Sequence, residues 1–476
     1  MADFDGASQA FLAWLQQSGA EISPKIRLED LRNKDAGRGV VATQSIPEHE
    51  LLFRIPRSAL LSVETSILSS EIPASTFTHL GPWLSLILTM LYEHFNGPAS
   101  NWAAYFDVLP TEFNTLMFWT DDELAELQAS AVVNKIGKDG ADAMFVEHLL
   151  PLIEEFADIL FAGDVRAKDR AKEMRSPEKL EIMHKMGSLI MAYAFDVEPS
   201  MSNTDVDDEG FAEEEEDAAL PKGLVPLADM LNADADRCNA RLFYEKDCLE
   251  MKALKPIKAG EEIFNDYGPL PRSDLLRRYG YITDNYAQYD VVEIPMELVT
   301  EIATAAGIWS QKRLEYLDEE EMLDSGYDIA ASSPFTLQES LSPEVIILIE
   351  SLLLSDEEFE RLKTKNKLPK PEKMTSKGAE VLHKIVQARI AQYATTLEED
   401  LRTFDQVPAV DAATPKTRRY AMAKAVRIGE KRLLAQTEEA LREIIARNGG
   451  IAAKRQRDVD EEGDVEMSGL GKKHRV

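Results

Sequence analysis

Cysteine is scarce in this chain: its 476 residues include two, Cys238 and Cys248. A single pair cannot build a disulfide framework or a four-ligand zinc cluster. Histidine offers no metal site either, because His49, His79, His94, His148, His184, His383 and His474 are scattered without ligand spacing, and no metal is expected. Basic charge is short as well. There are 53 Lys and Arg against 85 Asp and Glu, a formal net charge of −32. That balance argues against a general nucleic-acid binder, which must neutralise phosphates with cations. Long apolar runs are missing: the most apolar stretch, Trp83 to Tyr92, is interrupted by Ser85 and Thr89 and followed by Glu93. It falls short of the roughly 20 residues that span a bilayer. The N-terminus carries Asp3 and Asp5 rather than a basic start and does not read as a signal peptide. A soluble protein of a reducing compartment, without membrane contact, is expected. There is no P-loop, no GxGxxG after a strand, no GxSxG elbow and no HExxH.

What is present is ample core material, 44% hydrophobic residues, enough for two or three domains. The acidic charge is concentrated. Eleven carboxylates and no Lys or Arg lie between Ala194 and Pro221, a segment poor in large apolar residues that is expected to be a mobile loop. Before it, residues from about 80 to 195 read as helical, with Leu149, Ile153, Phe156 and Leu160 on one face. Strand-like sequence flanks this zone, at about 22–65 and 224–294. Phe11, Leu12, Trp14 and Leu15 form one face of a helix within residues 1–21, closed by Gly19.

The two strand zones resemble each other. ATQSIPEHELLFRIP (42–56) lies over ALKPIKAGEEIFNDY (253–267), matching Ala42, Ile46, Glu50 and Phe53 to Ala253, Ile257, Glu261 and Phe264. Both read as strand, charged turn, strand. The match admits two readings: chance convergence of two hairpins, or one β-rich domain in two halves interrupted by the helical insertion. From about 295 to 450 the chain reads as helical again, with a capping box from Thr395 to Glu398 and an amphipathic helix stopped by Asn448-Gly449-Gly450. The polar tail, 451–476, carries two basic clusters, Lys454-Arg455-Gln456-Arg457 and Lys472-Lys473-His474-Arg475. Such clusters suit nuclear import or a solvated, disordered end.

Two segments mix Asn, Asp and Tyr into apolar surroundings: PLADMLNADADRCNA (226–240) and GEEIFNDYGPLPRSDLLRRYGYI (260–282). Polar groups so placed must be paired or functional. Taken with AGRGVVA (36–42), LADMLN (227–232) and EEIFNDYG (261–268) resemble the SET-domain lysine methyltransferases of the Rubisco large-subunit methyltransferase type. LADMLNAD and LLRRYGY are similar to a fungal branch acting on ribosomal proteins. The implied fold is α+β: a β-rich SET domain over 22–268 split by the helical insertion and the acidic loop (196–220), a post-SET channel segment over 269–294, an all-α substrate-binding domain over 295–450 and a disordered tail.

The resemblance also implies residue roles. Gly37, Arg38 and Gly39 would wrap the tail of S-adenosyl-L-methionine, and Asn232 would bind its methionine moiety. Tyr267 would be the principal catalytic tyrosine and would also touch the cofactor. Tyr279 and Tyr281 would line the lysine channel and flank the cofactor, roles that core packing explains equally well, and Asp229 would lie near the lysine pocket. The family pattern usually has His after the Asn; here Ala233 stands there, a position that meets adenine through its backbone. The implied activity is methylation of a lysine, with a ribosomal protein as basic partner, monomethylation as the product, a monomeric enzyme and a nuclear location. A histone or other nuclear substrate, or an inactive SET scaffold, are the competing readings.

Overall fold

The computed structural model describes residues 4–34, 36–197, 221–404 and 413–469, the side chains of Lys34 and of 448–469 excepted. Its strands are β1 (Glu21–Ile22), β2 (Ile26–Asp30), β3 (Arg38–Ala42), β4 (Leu51–Pro56), β5 (Leu61–Ser62), β6 (Ala194–Asp196), β7 (Lys222–Leu224), β8 (Ala240–Tyr244), β9 (Cys248–Ala253), β10 (Glu262–Ile263), β11 (Val291–Pro295) and β12 (Gly326–Ala330). Among the described residues they form four antiparallel sheets, ordered β1-β4-β9-β8, β10-β3-β2, β5-β7-β6 and β11-β12.

The two similar segments are not hairpins. β3 and β4 belong to different sheets, and so do β9 and β10. Each eight-residue connection, 43–50 and 254–261, is longer than a tight hairpin loop. Each also buries an isoleucine at its centre, so it crosses the core between sheets. The two crossings pair with each other. Ile46 N–H donates to Ile257 O at 2.8 Å, and Ile257 N–H returns the bond to Ile46 O at 2.9 Å. Ala42 N–H donates to Glu261 O (2.9 Å), and the counterparts of these two residues are Ala253 and Glu50, which are joined at 3.0 Å. A local two-fold axis therefore passes between Ile46 and Ile257. The sequence match reflects one domain built from two related halves.

The helical insertion runs from β5 to β6. Its long helices, Ala74–Asn96 and Pro177–Tyr193, share one core with the N-terminal helix (Phe4–Gln17) and the three sheets of the SET domain. Of the acidic segment, Asp196 lies in β6 and accepts from Lys222 at 2.8 Å; residues 198–220, and the mobility expected of them, lie outside the described residues.

A second core, with Val345, Leu348, Leu382, Ile385, Leu434 and Leu441, fills the C-terminal helical domain. Three expectations there need amendment. The all-α domain carries one antiparallel pair, β11 with β12. The capping box is shifted by one residue: Thr396 and Glu399 form it, because Thr395 Oγ1 is drawn instead to Gln128, Asp400 and Lys431. The last helix, Pro415–Gly469, does not stop at Asn448-Gly449-Gly450, and 451–469 is helix rather than disordered tail. The Ala, Lys, Arg and Gln residues after the glycines are strong helix formers, and each glycine costs only about 1 kcal/mol.

The two halves of the molecule are locked by buried charge. Asp400 accepts from Arg427 Nε and Nη2, each at 3.0 Å, and from Lys431 Nζ at 2.6 Å. Arg427 also donates to the backbone and carboxylate of Glu126 in the insertion, and Arg389 donates to Ala129 O at 2.7 Å. Removing one partner of a buried pair strands the other charge without water. Asp400→Ala should therefore destabilise the protein by about 3–5 kcal/mol, read as a lower urea midpoint; an unchanged midpoint would show the lock to be energetically neutral.

Candidate active site

The chain reaches the site by a crossing. After β10, Asn265 N–H donates to Asn232 O (2.9 Å), Asp234 N–H donates to Asn265 O (3.3 Å), and Phe264 N–H donates to Asn239 Oδ1 (2.8 Å). Ala233 thus pairs in parallel with Asn265. That bridge uses the backbone groups of Asn232 and Asp234 and leaves those of Ala233 without a backbone partner among the described residues. Asn232 Nδ2 donates to Glu262 Oε1 at 2.8 Å and to Arg38 O at 3.3 Å, so β3, β10 and the 226–240 segment are tied at one point. Only glycine fits behind this tie. A Cβ on Gly39 would stand 3.0 Å from Glu262 Oε1, 3.1 Å from Asn232 Nδ2 and 2.4 Å from Leu31 Cδ1.

The tyrosines follow. Tyr267 stacks on Tyr279 with ring centroids 4.2 Å apart and planes 6° apart, and Tyr281 meets Tyr279 edge-on at 6.4 Å. Tyr267 Oη donates to Leu231 O at 3.5 Å. Tyr279 ends the helix Arg272–Tyr279, and Gly280 caps it in the left-handed region at φ +76°, where a Cβ would come 2.8 Å from Thr115 N. The 113–118 segment behind it is held by Arg419 of the last helix, which donates to Phe113 O (3.1 Å), Phe118 O (3.1 Å) and Glu123 Oε2 (2.9 Å). The C-terminal helix thus sets the position of Tyr279 through two layers of packing.

Burial governs the electrostatics. It pushes the phenols of Tyr267 and Tyr281 well above the ordinary tyrosine value and that of Tyr279 up to about 12. It also raises the Asp229 carboxyl to about 7, against the opposing hydrogen bond from Tyr105 Oη to its Oδ2. Asp229 Oδ1 is buried and has no hydrogen-bond partner among the described residues.

Two cavities flank this cluster. One, of about 1210 Å³, is walled by Gly37, Arg38, Asp229, Asn232, Ala233, Tyr267, Tyr279 and Tyr281 among others. The other, of about 460 Å³, opens among Met191, Phe195, Cys238, Arg241 and Asp266. Ala192, Tyr193, Asp229, Tyr267 and Tyr279 face both. The structure thus gathers every residue that the sequence singled out, with Gly39 just behind the wall. Gly37 is the looser member, since an added Cβ there would meet nothing within 4 Å. Sequence reasoning missed Tyr193, Tyr105 and Phe4. Tyr193 ends the long helix Pro177–Tyr193 inside a run that reads as ordinary helix core, and no local spacing marks it.

Comparison with known proteins agrees with this geometry. The SET domain family matches residues 37–268, and the Rubisco LSMT substrate-binding family matches 310–434. The chain is 36% identical to ribosomal lysine N-methyltransferase 4 of Saccharomyces cerevisiae, over 74% of this chain and 73% of that protein. It is 31% identical to N-lysine methyltransferase SETD6 of Bos taurus, over 93% and 97%. Rubisco LSMT bound to AdoMet superposes with a TM-score of 0.61 at 20% identity, covering 92% of both chains, which shows a shared fold. A split SET domain with a tyrosine-walled double cavity, followed by that substrate-binding domain, places the chain in the S-adenosyl-L-methionine-dependent SET-domain protein-lysine N-methyltransferases.

Proposed function

We propose that the larger cavity holds S-adenosyl-L-methionine, that the smaller one admits the target lysine, and that the two meet through the wall of Tyr193, Asp229, Tyr267 and Tyr279. The observation that carries this reading is that these side chains face both cavities at once. The donor set fits the cofactor. Asn232, whose amide nitrogen is committed to Glu262 and Arg38, offers its Oδ1 to the methionine tail, and Ala233 offers its backbone groups to the adenine. The Gly37–Arg38 backbone borders the same space. When bound, the cofactor supplies an electrophilic methyl on a cationic sulfonium.

A free lysine has a pKa of about 10.4 and must lose a proton before it attacks. The stacked tyrosines line a channel where burial disfavours the ammonium. Asp229 stays largely neutral up to about pH 7, so the wall lacks a full counter-charge that would trap the amine in its protonated form. Tyr267 remains a phenol at neutral pH, because burial raises its pKa. It orients the amine rather than removing the proton, and alignment of nucleophile and methyl supplies most of the rate.

The substrate we favour is a large-subunit ribosomal protein, monomethylated in the nucleus by a monomeric enzyme. Similarity to the yeast ribosomal enzyme supports it, and the acidic balance suits a basic partner. The similarity to SETD6 spans more of the chain and names no ribosomal substrate, which keeps a second reading, methylation of a histone or another nuclear protein. Mass spectrometry of ribosomal proteins from cells with and without this chain separates the two. Loss of one lysine methylation mark on a large-subunit protein is expected; ribosomal marks that persist unchanged would turn the assignment to the second reading. The scaffold reading sits poorly with an intact tyrosine wall.

Two substitutions test the site. Tyr267→Phe should lower turnover by about 100-fold or more while leaving calorimetric cofactor binding and thermal unfolding close to wild type. Turnover at the wild-type rate would remove Tyr267 from the mechanism. Asp229→Asn tests the buried acid. The folded carboxyl keeps its proton to about pH 7, whereas an unfolded one releases it near 3.9. The native state therefore holds the extra proton between these values, and this group's contribution to stability falls as pH rises through that window. The variant should lack that slope, which approaches about 1.4 kcal/mol per pH unit. Urea titrations from pH 4 to 7 with parallel slopes for the two proteins would refute the raised pKa.

A further inference from the structure

Three arginines line the larger cavity, and two of them are neutralised: Arg32 by Asp30, and Arg237 by Asp234. Arg38 is different. Its Nη1 donates to Val108 O at 2.9 Å and its Nε to Ser8 Oγ at 3.2 Å, and its guanidinium lies 4.3 Å from the centre of the Phe4 ring. Ser8 Oγ in turn donates to Phe4 O at 2.8 Å, which closes the clamp. All of these partners are neutral. The carboxylate of Asp30, its cross-strand partner, attracts Arg38 from a distance but is itself paired with Arg32; among the described residues no carboxylate forms an ion pair with Arg38, although the side chain is half-buried and faces the cavity.

A partly desolvated guanidinium with no anion in direct contact can receive one. Arg38 and Asn232 line the same cavity, and Asn232 Nδ2 donates to the Arg38 backbone carbonyl. Phe4 and Ser8 belong to the N-terminal helix, which lies outside the SET family match at 37–268.

We propose that the N-terminal helix is part of the cofactor site: Phe4 and Ser8, with Val108 O, hold the Arg38 guanidinium so that it takes the carboxylate of the methionine tail. Phe4 supplies a cation–π face and a wall of the cavity. Ser8 and Val108 fix the fork, leaving Nη2 for the ligand. This deepens the cofactor reading given above and rests on it. Arg38 is then a binding residue through its side chain, and Phe4 and Ser8 are positioning residues.

The carboxylate is the only anionic group of S-adenosyl-L-methionine, so the decarboxylated cofactor is the discriminating probe. Binding of both compounds is measured by calorimetry on the full-length protein. Wild type should prefer S-adenosyl-L-methionine. Arg38→Met should lose about ten- to hundredfold for it and keep its affinity for the decarboxylated probe within about twofold, which also shows the variant is folded. Arg38→Lys should recover part of the loss, because charge remains but the fork does not. Phe4→Ala and Ser8→Ala should each lose part of the preference and nothing for the probe. Equal weakening of both compounds by Arg38→Met, or no preference in wild type, overturns the inference while leaving the cofactor reading intact. Failure of wild type to bind either compound removes both.

Discussion

The constraint on which the rest depends is the antiparallel pairing of two crossings about Ile46 and Ile257, 211 positions apart in the chain. It sends β4 and β9 into one sheet and β3 and β10 into another, so the two halves of the domain close on each other. Everything between them can be looped out. Loop-closure entropy rises only about 0.6 kcal/mol per doubling of length, which is why a helical insertion with its own apolar packing is tolerated there. The same pairing brings Arg38, Asn232 and Glu262 within hydrogen-bond reach of one another, although they come from three distant stretches of sequence.

On the proposed reading, the chemistry of the site follows from dryness more than from strong acids or bases. Tyrosines that stay protonated, an aspartic acid held near neutrality and stacked rings make a wall that disfavours charge on an incoming amine. Such a wall needs rigid support, because alignment is worth little if the rings drift. Support comes from outside the SET domain: Gly280 pressed against Asn114 and Thr115, and Arg419 holding that segment from the C-terminal helix. Arg427 and Lys431, held by the buried Asp400, then tie that helix to Glu126 and Gln128 of the insertion.

Much of this was legible in the sequence, and for identifiable reasons. Two polar segments, 226–240 and 260–282, stood out because Asn, Asp and Tyr are costly inside apolar sequence unless they are paired, and the 36–42 loop was singled out only by its resemblance to the SET family. The internal repeat was visible because related crossings need the same buried isoleucine and the same charged turn. Tyr193 and Phe4 were not legible. Each looks like an ordinary member of an amphipathic helix, and its exposure to the cavity depends on what other segments pack around it. The Thr395 capping box failed for a related reason: Thr395 and Thr396 offer identical hydroxyls, and only the position of Asp400 and Lys431 decides which one caps.

Resemblance to the SET family singled out residues 36–42, 227–232 and 261–268; the sequence by itself determined which residues had to be buried or paired and where most of the strands and helices lie. Those properties are local, set by side-chain polarity and period. Tertiary structure alone decided that the two similar segments cross between sheets rather than fold into hairpins and, among the described residues, that Asp229 keeps an unpartnered oxygen and that Arg38 has no carboxylate in direct contact. These are properties of neighbours far away in the chain. Burial, a shifted pKa and an uncompensated charge exist only once those neighbours have displaced the water.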